Sequence, residues 1–267
     1  MKKLSEMEQT KGKVTLAFGG VGTGKTLLIM GQPTPHLVLA CDTGNITVPP
    51  GINKDEIFVE EFHVPTREFN AVGQTTPIQD IYRRTVKRLH EIYTAISTGA
   101  PLLDSSGNTL PILASLSIDG VYRLNQMLVD GQCVLNNVNE PGDMGPKTMK
   151  FWGSRLLSIM TIFNQFAGLG INIGFTTWER IETNDDGNPT GRVFPHIGGQ
   201  MDIVGAGLAD AAVYCYIRGG RYYIRTKSDG MVQGCKIRNV FTLPETIDIT
   251  LGPDGKLPYQ KLWGDQK

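Results

Sequence analysis

The residues best suited to chemistry cluster near the amino terminus, where Gly19-Gly20-Val21-Gly22-Thr23-Gly24-Lys25-Thr26 follows the spacing G-x-x-x-x-G-K-[ST]. Glycines in this pattern let the backbone turn tightly and aim its N–H groups at phosphate oxygens, and the helix that follows presents its positive end to the same anion. The stretch from Gly19 to Leu27 is therefore a candidate binding loop for a nucleoside triphosphate. Lys25 is expected to reach the β and γ phosphates and the Thr26 hydroxyl to coordinate Mg2+. A bare glycine-rich turn would have no need of the Gly-Lys-Thr ending.

Such a loop works only between a rigid strand and a helix. Val14-Thr15-Leu16-Ala17-Phe18 reads as a buried strand, and Lys25-Thr26-Leu27-Leu28-Ile29-Met30 opens a helix that Gly31 and Pro33 stop. A second strand, Ile112 to Asp119 within Pro111–Gly120, is mostly apolar and ends in a carboxylate. That is the element a phosphate loop needs to bring an acid to the metal, so Asp119 joins Thr26 as a candidate Mg2+ residue. His36 to Asp42 is an apolar run that also ends in a carboxylate, and Ile57 to Phe62 is a shorter one carrying Glu60 and Glu61. Ile171 to Thr177 ends in two hydroxyls, where parallel sheets expose ligand sites, which makes Thr176 or Thr177 a candidate sensor of the γ phosphate.

Between these strands, Pro77 to Gly99 holds apolar residues at helical spacing, with Arg83, Arg84, Lys87 and Arg88 on a face expected to be solvated. Lys150 to Ala167 reads as a core helix. Thr183 to Gly191 is dense in turn formers, and irregular chain is expected to about Gly207. Gly219-Gly220 between two aromatic-rich runs signals a hairpin. A last strand near Gly234 to Phe241 carries Lys236 and Arg238 on one face.

The 267 residues suit one large α/β domain, read as an arm at 1–12, a core at 13–243 and a tail at 244–267. Lys plus Arg and Asp plus Glu both number 26, so no global basic field advertises a polyanion binder, and any nucleic-acid contact must be local. Cys41, Cys133, Cys215 and Cys235 have no metal-site spacing and fit a reducing compartment. With no signal core and no membrane-length apolar run, a cytoplasmic location is expected, in the host cell if the protein is viral, with no membrane partner.

Taken in order, the phosphate loop, Asp-ended strand, Thr-ended strand, long polar loop and terminal hairpin resemble the RecA-like P-loop (AAA-type) ATPases of bacteriophages, especially the Sak-type single-strand annealing recombinases. The resemblance runs from about Lys13 to Val240. It is specific at Gly19 to Thr26 and extends more weakly to Trp152-Gly153 and Ala209-Asp210. It implies an α/β fold, a RecA-like P-loop NTPase whose mainly parallel central sheet is flanked by helices. The Thr177 strand should lie between the phosphate-loop and Asp119 strands, and the C-terminal hairpin should add antiparallel strands. It further implies a ring or filament of identical subunits with ATP and Mg2+ between them, Lys236 and Arg238 reaching the neighbour's γ phosphate as a trans finger.

One departure stands out. Such ATPases commonly end the second strand in Asp-x-Glu, whose glutamate activates water, but here the run is Asp42-Thr43-Gly44. Glu60, Glu61 and Asp42 are the candidates for that role. The resulting expectation is a Mg-ATP-dependent recombination protein acting on single-stranded DNA, with a single-strand binding protein as a further candidate partner. Lys147, Lys150 and Arg192 are candidates to meet phosphates and Phe194 or Trp152 to stack bases. The alternative expectation is a nucleotide-gated assembly protein that hydrolyses slowly or not at all.

Overall fold

Central strands of a parallel sheet are covered on both faces, so they read as near-continuous apolar runs, and four runs in this chain do so. In the computed structural model the described residues are 12–42, 46, 48–62, 68–69, 75–76, 78–136, 145, 161, 164–166, 168–199, 201–238, 243–252 and 255–264. Strand β1 (Val14–Phe18) leads through the glycine loop into helix α1 (Lys25–Met30), followed by β2 (His36–Ala40) and β3 (Ile57–Glu61). A two-residue ladder, β4 (Glu68–Phe69) with β5 (Thr75–Thr76), precedes helix α2 (Ile78–Thr98). Strand β6 (Ser115–Asp119), helix α3 (Val121–Leu135) and the long strand β7 (Asn172–Thr183) complete the central part.

The strands order as β3-β2-β6-β7-β1, then β9 (Ala211–Arg218), and every pairing in this series is parallel. The Thr177 strand thus lies between the loop strand and the Asp119 strand, as the resemblance implied. Beyond β9 the sheet turns antiparallel through β10 (Arg221–Arg225) and β12 (Thr246–Asp248), while β11 (Lys236–Ile237) pairs with β9 on its own. Gly219 and Gly220 form the expected two-residue turn with φ of 57° and 73°, both left-handed, between the paired Arg218 and Arg221.

Alternation along each strand divides the core between the two sheet faces. Leu16, Leu37, Leu39, Leu116, Ile118, Ile173 and Phe175 share one cluster with Leu89 and Ile92 of α2 and Leu124 of α3. Ala17, Val213 and Ile224 share another with Leu28 of α1, Ile249 and Leu262. Helix α5 (Pro258–Trp263) docks beside α1: Tyr259 is buried and donates to Asn172 Oδ1, and Trp263 Nε1 donates to Thr15 Oγ1 at 3.0 Å.

The stretch expected to be irregular to about Gly207 is instead ordered. Strand β8 (Pro189–His196) pairs antiparallel with the outer half of β7, and helix α4 (Met201–Leu208) follows. The turn formers mark only the hairpin tip, where Asn184 Oδ1 accepts the N–H groups of Asp186 and Asn188. Asp202, 1 % exposed, clamps the region: its Oδ1 accepts the N–H groups of Ile197 and Gly198, and Arg180 Nε lies 3.2 Å from its Oδ2. Burial opposes ionisation of this carboxyl, yet His196 and the two N–H groups hold it below the usual carboxylate range. Of the helix expected over Lys150 to Ala167, residues 161 and 164–166 are described and helical; Lys150, Trp152 and Gly153 lie outside the described residues.

Candidate nucleotide site

The loop after β1 owes its shape to its glycines. Gly19, Gly22 and Gly24 have φ of 152°, 73° and 91°, a region costly to any residue with a Cβ. A methyl group at Gly19 would also collide with the Cys215 carbonyl, and one at Gly24 would lie 3.0 Å from the Tyr222 ring. Thr23 Oγ1 donates to Gly20 O at 2.8 Å, bracing the turn. Helix α1 is only six residues long, so an anion held here would rest on the loop's own N–H groups more than on a long helix dipole.

Lys25 folds back over this loop and donates to the carbonyls of Gly19 and Gly20 at 3.0 and 2.5 Å. Burial lowers its pKa, opposed by the surrounding Cys215, Asp119, Asp42 and Glu179. Cys215 itself is pushed up to about 12 by burial and remains a thiol. The ammonium therefore sits among three carboxylates.

Strand parity decides which side chains meet here. Asp119 and Thr176 fall on the α1 side of β6 and β7: Thr176 Oγ1 donates to Asp119 Oδ1, and Gly120 N donates to Thr176 Oγ1 at 2.9 Å. Thr26 Oγ1 lies 3.4 and 3.2 Å from the two Asp119 oxygens. Oxygen ligands cis to one another on an octahedral Mg2+ stand about 2.9 Å apart, so this hydroxyl and carboxylate fit such an ion after a small closure. Thr177, one residue on, has the opposite parity and donates to the His196 carbonyl. Of the two hydroxyls offered as candidates, Thr176 therefore stands beside Asp119, while Thr177 is turned to the His196 carbonyl.

Asp42 stands next to Asp119, its N–H donating to Asp119 O at 3.3 Å. Burial and the Asp119 charge raise its pKa, against the pull of Arg123, Lys25 and a hydrogen bond from Trp178. Arg123 Nε is 3.8 Å from Asp42 Oδ1 and its guanidinium lies 5.0 Å from the Trp178 ring. Together with the loop, Asp42, Asp119 and Trp178 line a cleft of about 590 Å3 whose other walls include Pro49, Tyr222 and Leu251. That volume lies within the usual range for small-molecule sites, ~300–1,000 Å3.

Other sequence candidates lie elsewhere. Glu60 is gripped by Arg88 through two bonds of 2.7 Å on β3, which β2 separates from β6; Glu61 is on the same strand. The cation expected on a solvated helix face is thus half of that pair. Lys236 and Arg238 both donate to Gly207 O, at 2.6 and 2.5 Å, near the carbonyl end of α4. Arg192 Nη1 is 3.8 Å from Glu182, and Phe194 lies under Arg180 at 6.0 Å, both on β8. Lys147 and Lys150 lie outside the described residues.

One residue escaped sequence reading. Glu179 extends β7 two positions beyond Thr177, and its Oε1 lies 3.4 Å from where a Cβ would stand on Gly20. Its only sequence signal was its count from the strand end, and that count acquires meaning only once β7 is known to adjoin β1.

No family model matches the chain, and no curated protein matches it significantly. Among solved structures it is similar to a KaiC-like protein from the hyperthermophilic archaeon Pyrococcus horikoshii, at 13% identity and a TM-score of 0.42, over 92% of this chain and 88% of that one. Among the described residues no helix is long and apolar enough to cross a membrane.

Proposed function

We propose that this chain binds Mg-ATP in the cleft beside the glycine loop and hydrolyses it as part of a self-assembling machine that acts on single-stranded DNA, in the manner of phage annealing recombinases. The observation that carries the nucleotide reading is the convergence of Lys25, Thr26 and Asp119 around a loop turned by glycines at positive φ. In this reading Lys25 exchanges its two loop carbonyls for phosphate oxygens. Thr26 and Asp119 would hold Mg2+, which supplies charge neutralisation for the β and γ phosphates. Thr176 keeps Asp119 in register, and Tyr222, Pro49 and Leu251 form the apolar end that suits a base.

Calorimetry of Mg-ATP binding tests the nucleotide half. Wild type is expected to bind with micromolar Kd, and Lys25→Ala to weaken binding by roughly 100-fold or more, equivalent to losing one charge-assisted phosphate contact of ~3 kcal/mol. Equal heats from both proteins would rule the reading out. The DNA half is tested by single-stranded DNA retention at low salt with ATP, ADP and no nucleotide; binding that ignores the nucleotide would sink it. A second reading, a nucleotide-gated scaffold, draws on Asp42-Thr43-Gly44 standing where a catalytic glutamate is usual and on Glu60 being spent on Arg88. Retained binding with no phosphate release would favour it.

A further inference from the structure

We propose that Glu179 is the carboxylate that holds and deprotonates the water attacking the γ phosphate, an inference that rests on the Mg-ATP reading above. Strand register places it there. Phe18, the last residue of β1, pairs with Thr177, so two residues further along both chains Gly20 and Glu179 come side by side, and the carboxylate lies against the first turn of the phosphate loop. The Lys25 ammonium, whose nitrogen touches the Gly20 carbonyl, has this carboxylate among its charged neighbours.

The state of the carboxylate points to an incoming partner. Tyr214 on β9 donates its hydroxyl to Glu179, and burial together with that bond raises the phenol's pKa, which keeps it a donor. Glu179 Oε2, by contrast, is buried and has no hydrogen-bond partner among the described residues. A desolvated carboxylate oxygen left unpaired is costly and persists chiefly where function requires it. The other carboxylates are committed elsewhere: Glu60 to Arg88, and Asp42 to Arg123 and the Trp178 indole on the Asp119 side. Glu179 has the parity of Thr177 rather than of Thr176 and meets the loop beside Tyr214, so a water on its second oxygen would not compete for the metal at Asp119.

In the step itself, a lone pair of the water oxygen forms the new bond to the γ phosphorus while the bond from that phosphorus to the β–γ bridging oxygen breaks. The water's proton passes to Glu179, and the products are the nucleoside diphosphate and inorganic phosphate. The diphosphate leaves with the electron pair of the broken bond.

Glu179→Gln in the full chain tests this, with Tyr214→Phe as a milder companion and thermal melting of both as a control for folding. Phosphate release by Glu179→Gln is expected to fall about 100-fold or more, with Mg-ATP affinity within about threefold of wild type, the signature of an interaction made only in the transition state. A readout independent of turnover is the affinity for Mg-ADP with aluminium fluoride, which mimics the phosphorus with its in-line water. The variant should lose at least about tenfold there while keeping its ATP affinity. Wild-type turnover by the variant, or equal losses for ATP and the transition-state mimic, would overturn the role while leaving the nucleotide reading intact. A wild-type chain that binds Mg-ATP without releasing phosphate would overturn it too, and a wild-type chain that binds no Mg-ATP would end both.

Discussion

At the scale of single residues, backbone geometry is as decisive as charge. Gly120 has φ of 96°, and a Cβ there would lie 2.7 Å from the Asp42 carboxyl carbon and 3.0 Å from its N–H. Gly120→Ala should therefore lose on two counts, left-handed strain of about 1 kcal/mol and displacement of Asp42 from its place beside Asp119. The expected outcome is a melting point lowered by a few degrees, about 2 to 4 °C per kcal/mol for a domain of this size, with a larger loss in Mg2+-dependent ATP affinity. Differential scanning calorimetry and titration with and without Mg2+ check the two parts separately. Such residues were legible in sequence when their job is local. Gly19 to Thr26 must make one tight turn between β1 and α1, so spacing alone betrays that shape, and Asp119 at the end of β6 follows because an apolar strand must stop at something polar. The choice between Thr176 and Thr177, and the position of Glu179, were not legible in the same way, since each depends on which strand lies next door and which parity faces the loop.

At the scale of elements, the regions the sequence hid are those without a fully buried face. The outer half of β7 and all of β8 form a two-stranded ribbon in which Ile181 is 51% exposed, so no alternation of apolar residues announces them. Helix α4 carries two glycines, which weaken helical propensity. A Cβ at Gly205 would nevertheless collide with Ile197, so close packing against the hairpin selects glycine there. Asp202 ties this assembly together, and its depressed pKa makes a prediction. Its stabilising effect is present in full above the unfolded carboxyl value near 3.9 and is lost as pH falls through the lower folded value. Asp202→Asn should cost about 2 kcal/mol at neutral pH, since it removes charge from two backbone bonds and leaves Arg180 without its partner. Denaturant melts from about pH 6 down to about pH 3 should show wild type losing stability on the acid side, with the variant flatter there. Parallel curves would mean that the carboxyl is not what clamps the hairpin.

At the scale of the whole molecule, the open cleft and the two cations at the end of β11, Lys236 and Arg238, bear on assembly. Within their own chain Lys236 and Arg238 share one surface carbonyl, Gly207 O, and Arg238 Nη1 also lies 4.0 Å from Asp210 Oδ1. An exposed bond of this kind contributes only about 1 kcal/mol, so their release toward a neighbouring subunit's triphosphate is energetically within reach. If the subunits meet head to tail, each cleft takes its loop from one chain and its finger from the next. A double variant, Lys236→Ala with Arg238→Ala, should then bind Mg-ATP as a single chain with near wild-type affinity yet release phosphate roughly 1,000-fold more slowly. Lys25→Ala should fail for the opposite reason, since it keeps the fingers and loses the loop. Neither protein turns over alone, but an equal mixture places an intact finger against an intact loop at about a quarter of the interfaces. Phosphate release by that mixture should rise toward a quarter of the wild-type rate. A mixture as inactive as its parts would confine Lys236 and Arg238 to capping α4 in their own chain.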